Sequence, residues 1–451
     1  MSVSGVMVKL NATHDPARRS WVPSANDPGG DFPIQNLPFG VFRRRGGEPQ
    51  GGVAIGDCVF DLKAGLAADL FSGIAAEAAA AAAGPKLNPL MALGNAHAAT
   101  LRARLSDLLR DHGPERARVE AMADRLLVPM AEIRLEMPAE IASFTDFFTS
   151  IFHAERGGRM RNPDSPLTPN FKYIPIGYNG RATSICVSGG GFKRPNGQYR
   201  DKDGDIRFGP EPRQDFELEV GAFIARGNPL GTPIPLAAAR DHIFGYCLLN
   251  DWSARAIQAW ETVPAGPFQG KSFCTTISPW VITGEALAPF HCPAFARAAD
   301  DPKSLPYLAS AENEAEGAID LQLEAYLLTP RMRQQNEPAA RITRTNLTTL
   351  YWTFPQMLTY HASNGSNFLP GDLIGSGTAS GATDESRACM NELSAFGSSD
   401  IALPNGERRR YLEDGDEVTF RARAQREGHV AIGFGECRGW VEPAAPWPSA
   451  A

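Results

Sequence analysis

The sequence predicts a mainly β chain with α-helices in two parts: a small N-terminal module on a barrel-type hairpin, then a larger β-dominated domain. Three observations predict it. The 451 residues exceed what one ordinary domain holds, so two domains are the default. The segment FGVFRRRGGEPQGGVAIGDCVFDL sets two short β-like runs around a Gly-rich turn. Farther on, FELEVGAFIA, IDLQLEAYLL and EVTFRARA alternate apolar and polar residues with period two, between Gly, Pro and Asn punctuation.

Taken in order, the hairpin is followed by an alanine run, Ala78 to Ala83, closed by Gly84 and Pro85. Alanine forms helix best and Gly then Pro stops it, so the run reads as a surface helix without chemical content. A charged helical stretch is expected from Ala98 to Leu127, after which LLVPMAEIRLEMPAEI returns to alternation. The connection falls near Met137, dividing residues 1–137 from 138–451. Later helices are expected at ARAIQAWE and around TFPQMLTYHASNG, while the polar, Pro-containing region Ala298 to Gly317 reads as a loop. No internal repeat is present.

Composition excludes several classes. With 43% apolar and 21% charged residues the chain reads as a soluble globular protein. A net charge of -7 leaves no basic excess to neutralise phosphates, so nucleic acid is not an expected partner. The seven cysteines (58, 186, 247, 274, 292, 389 and 437) are odd in number and never in C-x-x-C spacing, as reduced thiols of a cytoplasmic protein would be. The N-terminal stretch MSVSGVMVKLNATHDPARRS lacks the order of a signal peptide, and no apolar run is long enough to span a bilayer. A cytoplasmic protein with no membrane partner is expected.

The chemistry gathers around a few acids. Asp146 and His153 lie seven residues apart in SFTDFFTSIFHAERGGRM, nearly two helical turns, close enough to share a site. Glu217 and Glu219 in FELEVGAF fall on one face of a strand, with Phe216, Leu218 and Val220 on the other. The plain reading of that pair is a half-buried strand showing its charges to water. Asp251 follows the apolar run IFGYCLLN and precedes a helix, where an N-cap is its ordinary role, and Asp146 begins an expected turn with the same ordinary role. Together, four acids in apolar surroundings invite a hard cation such as Ca²⁺ or Mg²⁺, which prefers oxygen ligands and offsets their repulsion.

Donors follow the acids. Arg255 and Gln258 are three apart on one helix face, and Lys271 sits in the apolar segment PFQGKSFCTTISPW. Solvation is the usual fate of such residues, but clustered after an acid they suit a developing oxyanion. His153 is preferred as general base over His242 and His361 because it alone accompanies one of the acids. GPFQGKS fails the phosphate-loop spacing, since Ala265 holds the required glycine place; GSGTASG is not the dinucleotide fingerprint; and neither H-E-x-x-H nor G-x-S-x-G occurs.

A resemblance covers nearly the whole chain. FPIQNLPFGVF, TDFFTSIFHA, YIPIGYNGRATSICVSG, FELEVGAFIARGNPLGTPIP, HIFGYCLLNDWSARAIQAWE, GPFQGKSFCTTISPWV, YWTFPQMLTYHASNGSNFLPGDLIGSGTASG, YLEDGDEV and IGFGECRG occur in order from about residue 32 to 440. In these stretches the chain resembles the fumarylacetoacetate hydrolase family. The resemblance implies an SH3-like N-terminal barrel, a larger β-roll catalytic domain and a homodimer. It implies Ca²⁺ and/or Mg²⁺ held at Asp146, Glu217, Glu219 and Asp251, with Lys271 and Thr275 counted in the same metal site. It assigns the general base to His153, oriented by Glu392, and oxyanion stabilisation to Arg255, Gln258 and Lys271. Arg161, Tyr178, Gln258, Lys271 and Thr378 match positions that contact a β-diketo acid substrate.

Two substrate-contacting positions depart from the family pattern: Phe148 and Thr262 stand where tyrosines are common. The implied reaction is hydrolysis of a carbon–carbon bond in a β-diketone. The alternatives are a related hydrolase or decarboxylase for another 2,4-dioxo acid, favoured by Phe148 and Thr262, and a calcium-binding module without turnover. The latter would have no use for His153, Glu392 and Lys271 together.

Overall fold

The computed structural model describes residues 10–448, so the first nine residues of the stretch read for targeting lie outside it. The N-terminal part is a five-stranded antiparallel sheet in the order Leu127–Pro129, Cys58–Asp61, Gln50–Ile55, Phe39–Arg44, Ile133–Glu136. It curls into a half-barrel. The expected hairpin is present, with a third strand, Cys58–Asp61, added through a tight turn at Gly56 and Asp57. The strands at Leu127 and Ile133 close the sheet from both edges, so the alternation read there belongs to the first part.

Two helical expectations are corrected. The alanine run forms the helix Gly73–Ala82, but it is not a surface helix: Ala78, Ala79 and Ala82 have no exposed area and pack into the N-terminal core. Small side chains let this helix approach its neighbours closely, a use that helix propensity does not report. The charged stretch is not continuous: Asn95–Leu109 ends before Gly113 and Pro114, and two short helices, Arg116–Glu120 and Ala123–Leu126, follow. The region 298–317 contains the helix Ala311–Glu316, whose N-cap Ser310 accepts from the Asn313 N–H. Ser310 followed by Glu312 and Glu314 was a legible start signal.

The larger part is built on an eight-stranded mixed sheet and a five-stranded sheet. The first runs Ile176–Asn179, Phe144–Phe148, Leu373–Gly375, Leu218–Ile224, Ile243–Asp251, Thr275–Ile277, Ile185–Val187, with Ile282–Thr283 pairing beside Ile243–Asp251. The second runs Ala340–Asn346, Gln322–Leu328, Glu417–Ala424, Ile432–Glu442, Gly190–Lys193. Leu218, Val220, Ala222 and Ile224 point into a core shared with Leu323, Ala325, Val418 and Phe420 of the second sheet. Phe223 lies on the opposite face, in a core with Phe144, Leu249, Leu373 and the N-terminal part. Both faces of the strand Leu218–Ile224 are therefore covered, and period two puts Glu219 on the Phe223 side.

All seven cysteines are free. No helix among the described residues is long and apolar enough to cross a membrane.

Candidate active site

Neighbouring strands bring the acids to one end of one sheet face. Asp146 lies opposite Gly375, Glu219 opposite Leu249, and Asp251 opposite Thr275, while Glu217 immediately precedes the strand Leu218–Ile224. One carboxylate oxygen from each of Asp146, Glu217, Glu219 and Asp251 lies within 4.8 Å of the others. Their exposures are 1%, 4%, 0% and 0%, which removes the reading of Glu217 and Glu219 as a water-facing pair. Asp251 is not an N-cap, since it ends the strand Ile243–Asp251 and Ala254 caps the next helix. Asp146 is in mid-strand rather than at a turn. Asp146 and His153 therefore belong to a strand and to the helix Ile151–Arg159, not to successive turns of one helix.

Burying like charges is costly unless they are paired or bind a cation. Burial first, then Asp251 and Glu217, push Asp146 well above the usual carboxylate range; burial, Asp146 and Glu217 do the same to Glu219. Among the described residues, Asp146 Oδ1 and Glu219 Oε1 are buried with no hydrogen-bond partner. A Cβ on Gly375 would stand 2.5 Å from Asp146 Oδ1 and 3.2 Å from Glu219 Oε2, so glycine keeps this space open. Hard oxygen donors, two of them unpartnered, and an excess of negative charge fit a divalent cation of the Mg²⁺ or Ca²⁺ type.

The surroundings of the acids are donors. Lys271 donates to Glu217 and, at 2.6 Å, to Asp251 Oδ2. Burial alone would lower Lys271, but Asp251 and Glu217 outweigh it and hold the ammonium protonated. An ammonium has no lone pair, so in this form Lys271 borders the four acids as a charge partner. Thr275 donates to Asp251 Oδ1 at 3.2 Å, and the Tyr178 hydroxyl lies 2.9 Å from Asp146 Oδ2 and 2.8 Å from Asp251 Oδ2. The Gly377 N–H donates to Glu219 Oε2 at 3.0 Å; its positive φ of 75° suits glycine.

His153 stands at the rim. Its Nδ1 is 3.1 Å from Glu392 Oε2, and its Nε2 is 3.9 Å from Glu217 Oε1. The ring thus has one nitrogen on a buried carboxylate and the other toward the acid cluster. Ser150 caps the helix by accepting the His153 N–H, and its hydroxyl donates to the Ser380 carbonyl at 2.6 Å. Ser380 donates to Glu392 Oε2, and Arg156 Nη1 donates to Oε1 at 3.1 Å. Burial would raise Glu392, but His153, Ser380 and Arg156 outweigh it and hold its carboxyl down at about 2. The structure thus brings Glu392 and His153 together across 239 residues of chain.

Arg255 and Gln258 lie on the helix Arg255–Glu261, where Arg255 Nη1 donates to Gln258 Oε1 at 3.3 Å. With its oxygen taken, the Gln258 amide keeps its NH₂ for another partner. Arg255 Nη2 is 2.9 Å from Glu217 Oε1. Phe148 packs edge-on against His153 with ring centroids 5.3 Å apart. Thr378 is buried beside Gly377, Arg161 is exposed past the helix end, and Thr262 spends its hydroxyl on the Gln258 carbonyl at 2.6 Å.

Several positioning groups were not read from sequence. Glu211 accepts the N–H groups of Ala256 and Ile257, each at 3.0 Å, and so caps the helix of Arg255 and Gln258. Glu261 accepts those of Phe268, Gln269 and Gly270, fixing the turn that carries Lys271. Arg156, Ser380 and Asp215 complete the set. Glu211 in GPEPRQ and Glu261 in AWETVP look like surface charges, and only their partners reveal otherwise.

Two family models match successive stretches of the chain. The family model for the fumarylacetoacetase N-terminal domain matches residues 35–138, and that for the fumarylacetoacetate (FAA) hydrolase C-terminal domain matches residues 150–442. The fumarylacetoacetase of Oryza sativa subsp. japonica is 44% identical over 435 residues, covering 95% of this chain and 98% of that protein. Those of Bos taurus and Homo sapiens are 44% and 42% identical over 429 residues, covering 94% of this chain and 99% of each. The chain belongs to the fumarylacetoacetate hydrolase family.

Proposed function

We propose that this protein is a fumarylacetoacetase, hydrolysing the carbon–carbon bond of 4-fumarylacetoacetate to fumarate and acetoacetate, the last step of tyrosine and phenylalanine breakdown. The observation that carries it is the His153–Glu392 pair at the edge of a buried four-acid cluster, in a chain 42–44% identical to fumarylacetoacetases over nearly its whole length. The reading of another 2,4-dioxo acid as substrate gains no support from these relatives.

Asp146, Glu217, Glu219 and Asp251 would hold Mg²⁺ or Ca²⁺, which when bound supplies Lewis-acid polarisation of the diketone oxygens. His153 takes a proton from water at Nε2, while Glu392 at Nδ1 holds the ring's orientation. Lys271 uses two of its three protons on Glu217 and Asp251, leaving one for a developing oxyanion beside the free Gln258 amide. Arg255 acts behind Gln258 and Glu217 rather than as a free donor. Tyr178, Arg161 and Thr378 are assigned to the substrate carboxylates and chain, with Phe148 and Thr262 at the two departures. The working unit is a cytoplasmic homodimer, in keeping with the family resemblance and the seven free thiols.

The test is turnover of fumarylacetoacetate by chelator-stripped protein with Mg²⁺ or Ca²⁺ restored. Release of fumarate and acetoacetate only with cation is expected; folded, cation-loaded protein that leaves the compound intact would end the reading. Restoring a ring hydroxyl with Phe148→Tyr should lower KM about two- to tenfold, the worth of one hydrogen bond, with kcat nearly unchanged. An unchanged KM would remove this position from substrate contact.

A further inference from the structure

We propose that Asp215 is a positioning residue that sets two arms of the site at once: the arginine arm, Arg255 with Glu217 and Gln258, and the proton-moving arm, Glu392 with His153. It rests on the reading of His153 and Glu392 as the proton-moving pair. Asp215 has no exposed area and sits in the two-residue strand Gln214–Asp215, opposite Ser253. Its Oδ1 accepts the N–H of Phe216 at 2.8 Å and of Met390 at 2.6 Å. Its Oδ2 accepts the N–H of Asn391 at 3.0 Å and Nε–H of Arg255 at 2.8 Å.

These donors come from both arms. Arg255 turns its remaining nitrogens to Gln258 and Glu217. Met390 and Asn391 open the helical turn Met390–Leu393, which carries Glu392 to His153. A carboxylate is acceptor-only with about four lone-pair positions, and four N–H donors occupy them. Asp215 touches neither His153 nor the acid cluster's open oxygens, so it acts through the groups it holds.

The amide isostere separates this role from bulk: in Asp215→Asn an NH₂ replaces one oxygen and faces two N–H donors. At saturating Mg²⁺, Asp215→Asn should lower kcat about ten- to a hundredfold, the cost of displacing catalytic groups by a fraction of an ångström to an ångström, with KM held within about twofold. In a Glu392→Gln background, where the proton arm is already broken, the same substitution should cost at least about threefold less than in the parent. A parental kcat, or an equal loss in both backgrounds, overturns the proposal. A parental kcat in Glu392→Gln alone overturns the reading it rests on instead. Should Asp215→Asn not fold, Asp215→Glu keeps the acceptors but shifts them by one methylene: lowered kcat with parental KM supports the role, and parental kcat overturns it.

Discussion

His153→Ala is expected to lower kcat by about a hundred- to ten-thousand-fold, the usual contribution of a general base, while fold and cation content stay near those of the parent. The fold should survive because removing the ring does not strand Glu392, which keeps Arg156 and Ser380 as partners. The two rival histidines should behave differently. His361 Nε2 is 2.8 Å from the Thr145 hydroxyl and its ring packs on Phe147 and Phe368, so His361→Ala should cost stability before chemistry. His242 lies on the Arg226 carbonyl at 2.6 Å, outside the acid cluster. Steady-state kinetics and thermal unfolding of the three alanine variants decide the matter. Turnover lost in His361→Ala or His242→Ala but kept in His153→Ala would transfer the base elsewhere.

Glu219→Gln should abolish most cation binding and most activity, yet leave the cation-free protein as stable as the parent or more so. Among the described residues, Glu219 is fully buried with an unpartnered oxygen and pairs with no cationic side chain, so neutralising it relieves repulsion without exposing an orphan charge. Glu217→Gln should also lower cation content and activity, but with lost stability, because Lys271 and Arg255 lose their shared partner inside the protein. Parent protein at a hundredfold excess of cation over Kd should gain about 2.7 kcal/mol of stability by linkage, and Glu219→Gln little of it. Elemental analysis and thermal unfolding with and without Mg²⁺ or Ca²⁺ read this directly. An equal cation-dependent gain in parent and Glu219→Gln would remove Glu219 from the ligand set.

Much of the site was legible because side-chain direction is a local property. Alternation in FELEVGAF sets Glu217 and Glu219 on one side, and the three-residue spacing of Arg255 and Gln258 sets both on one helix face. The alanine helix was misjudged because propensity reports backbone preference and not what the face packs against. Glu211 and Glu261 escaped notice because a carboxylate that caps backbone N–H groups has the same sequence appearance as a solvated one.

By itself the sequence determined the strand and helix faces, the chemical types gathered in the site and, through ordered motifs along nearly the whole chain, the family. Period and propensity act over a few residues, so they reach that far. Only the tertiary structure decided that both faces of the strand Leu218–Ile224 are covered, which turns two surface-like glutamates into buried members of a four-acid cluster that could hold a cation. It also decided the partners of Asp215 and Glu392, whose side-chain bonds to Arg255 and Arg156 span 40 and 236 residues. Those contacts exist because sheet register and burial leave a carboxylate few donors to choose from, and no local pattern encodes which ones arrive.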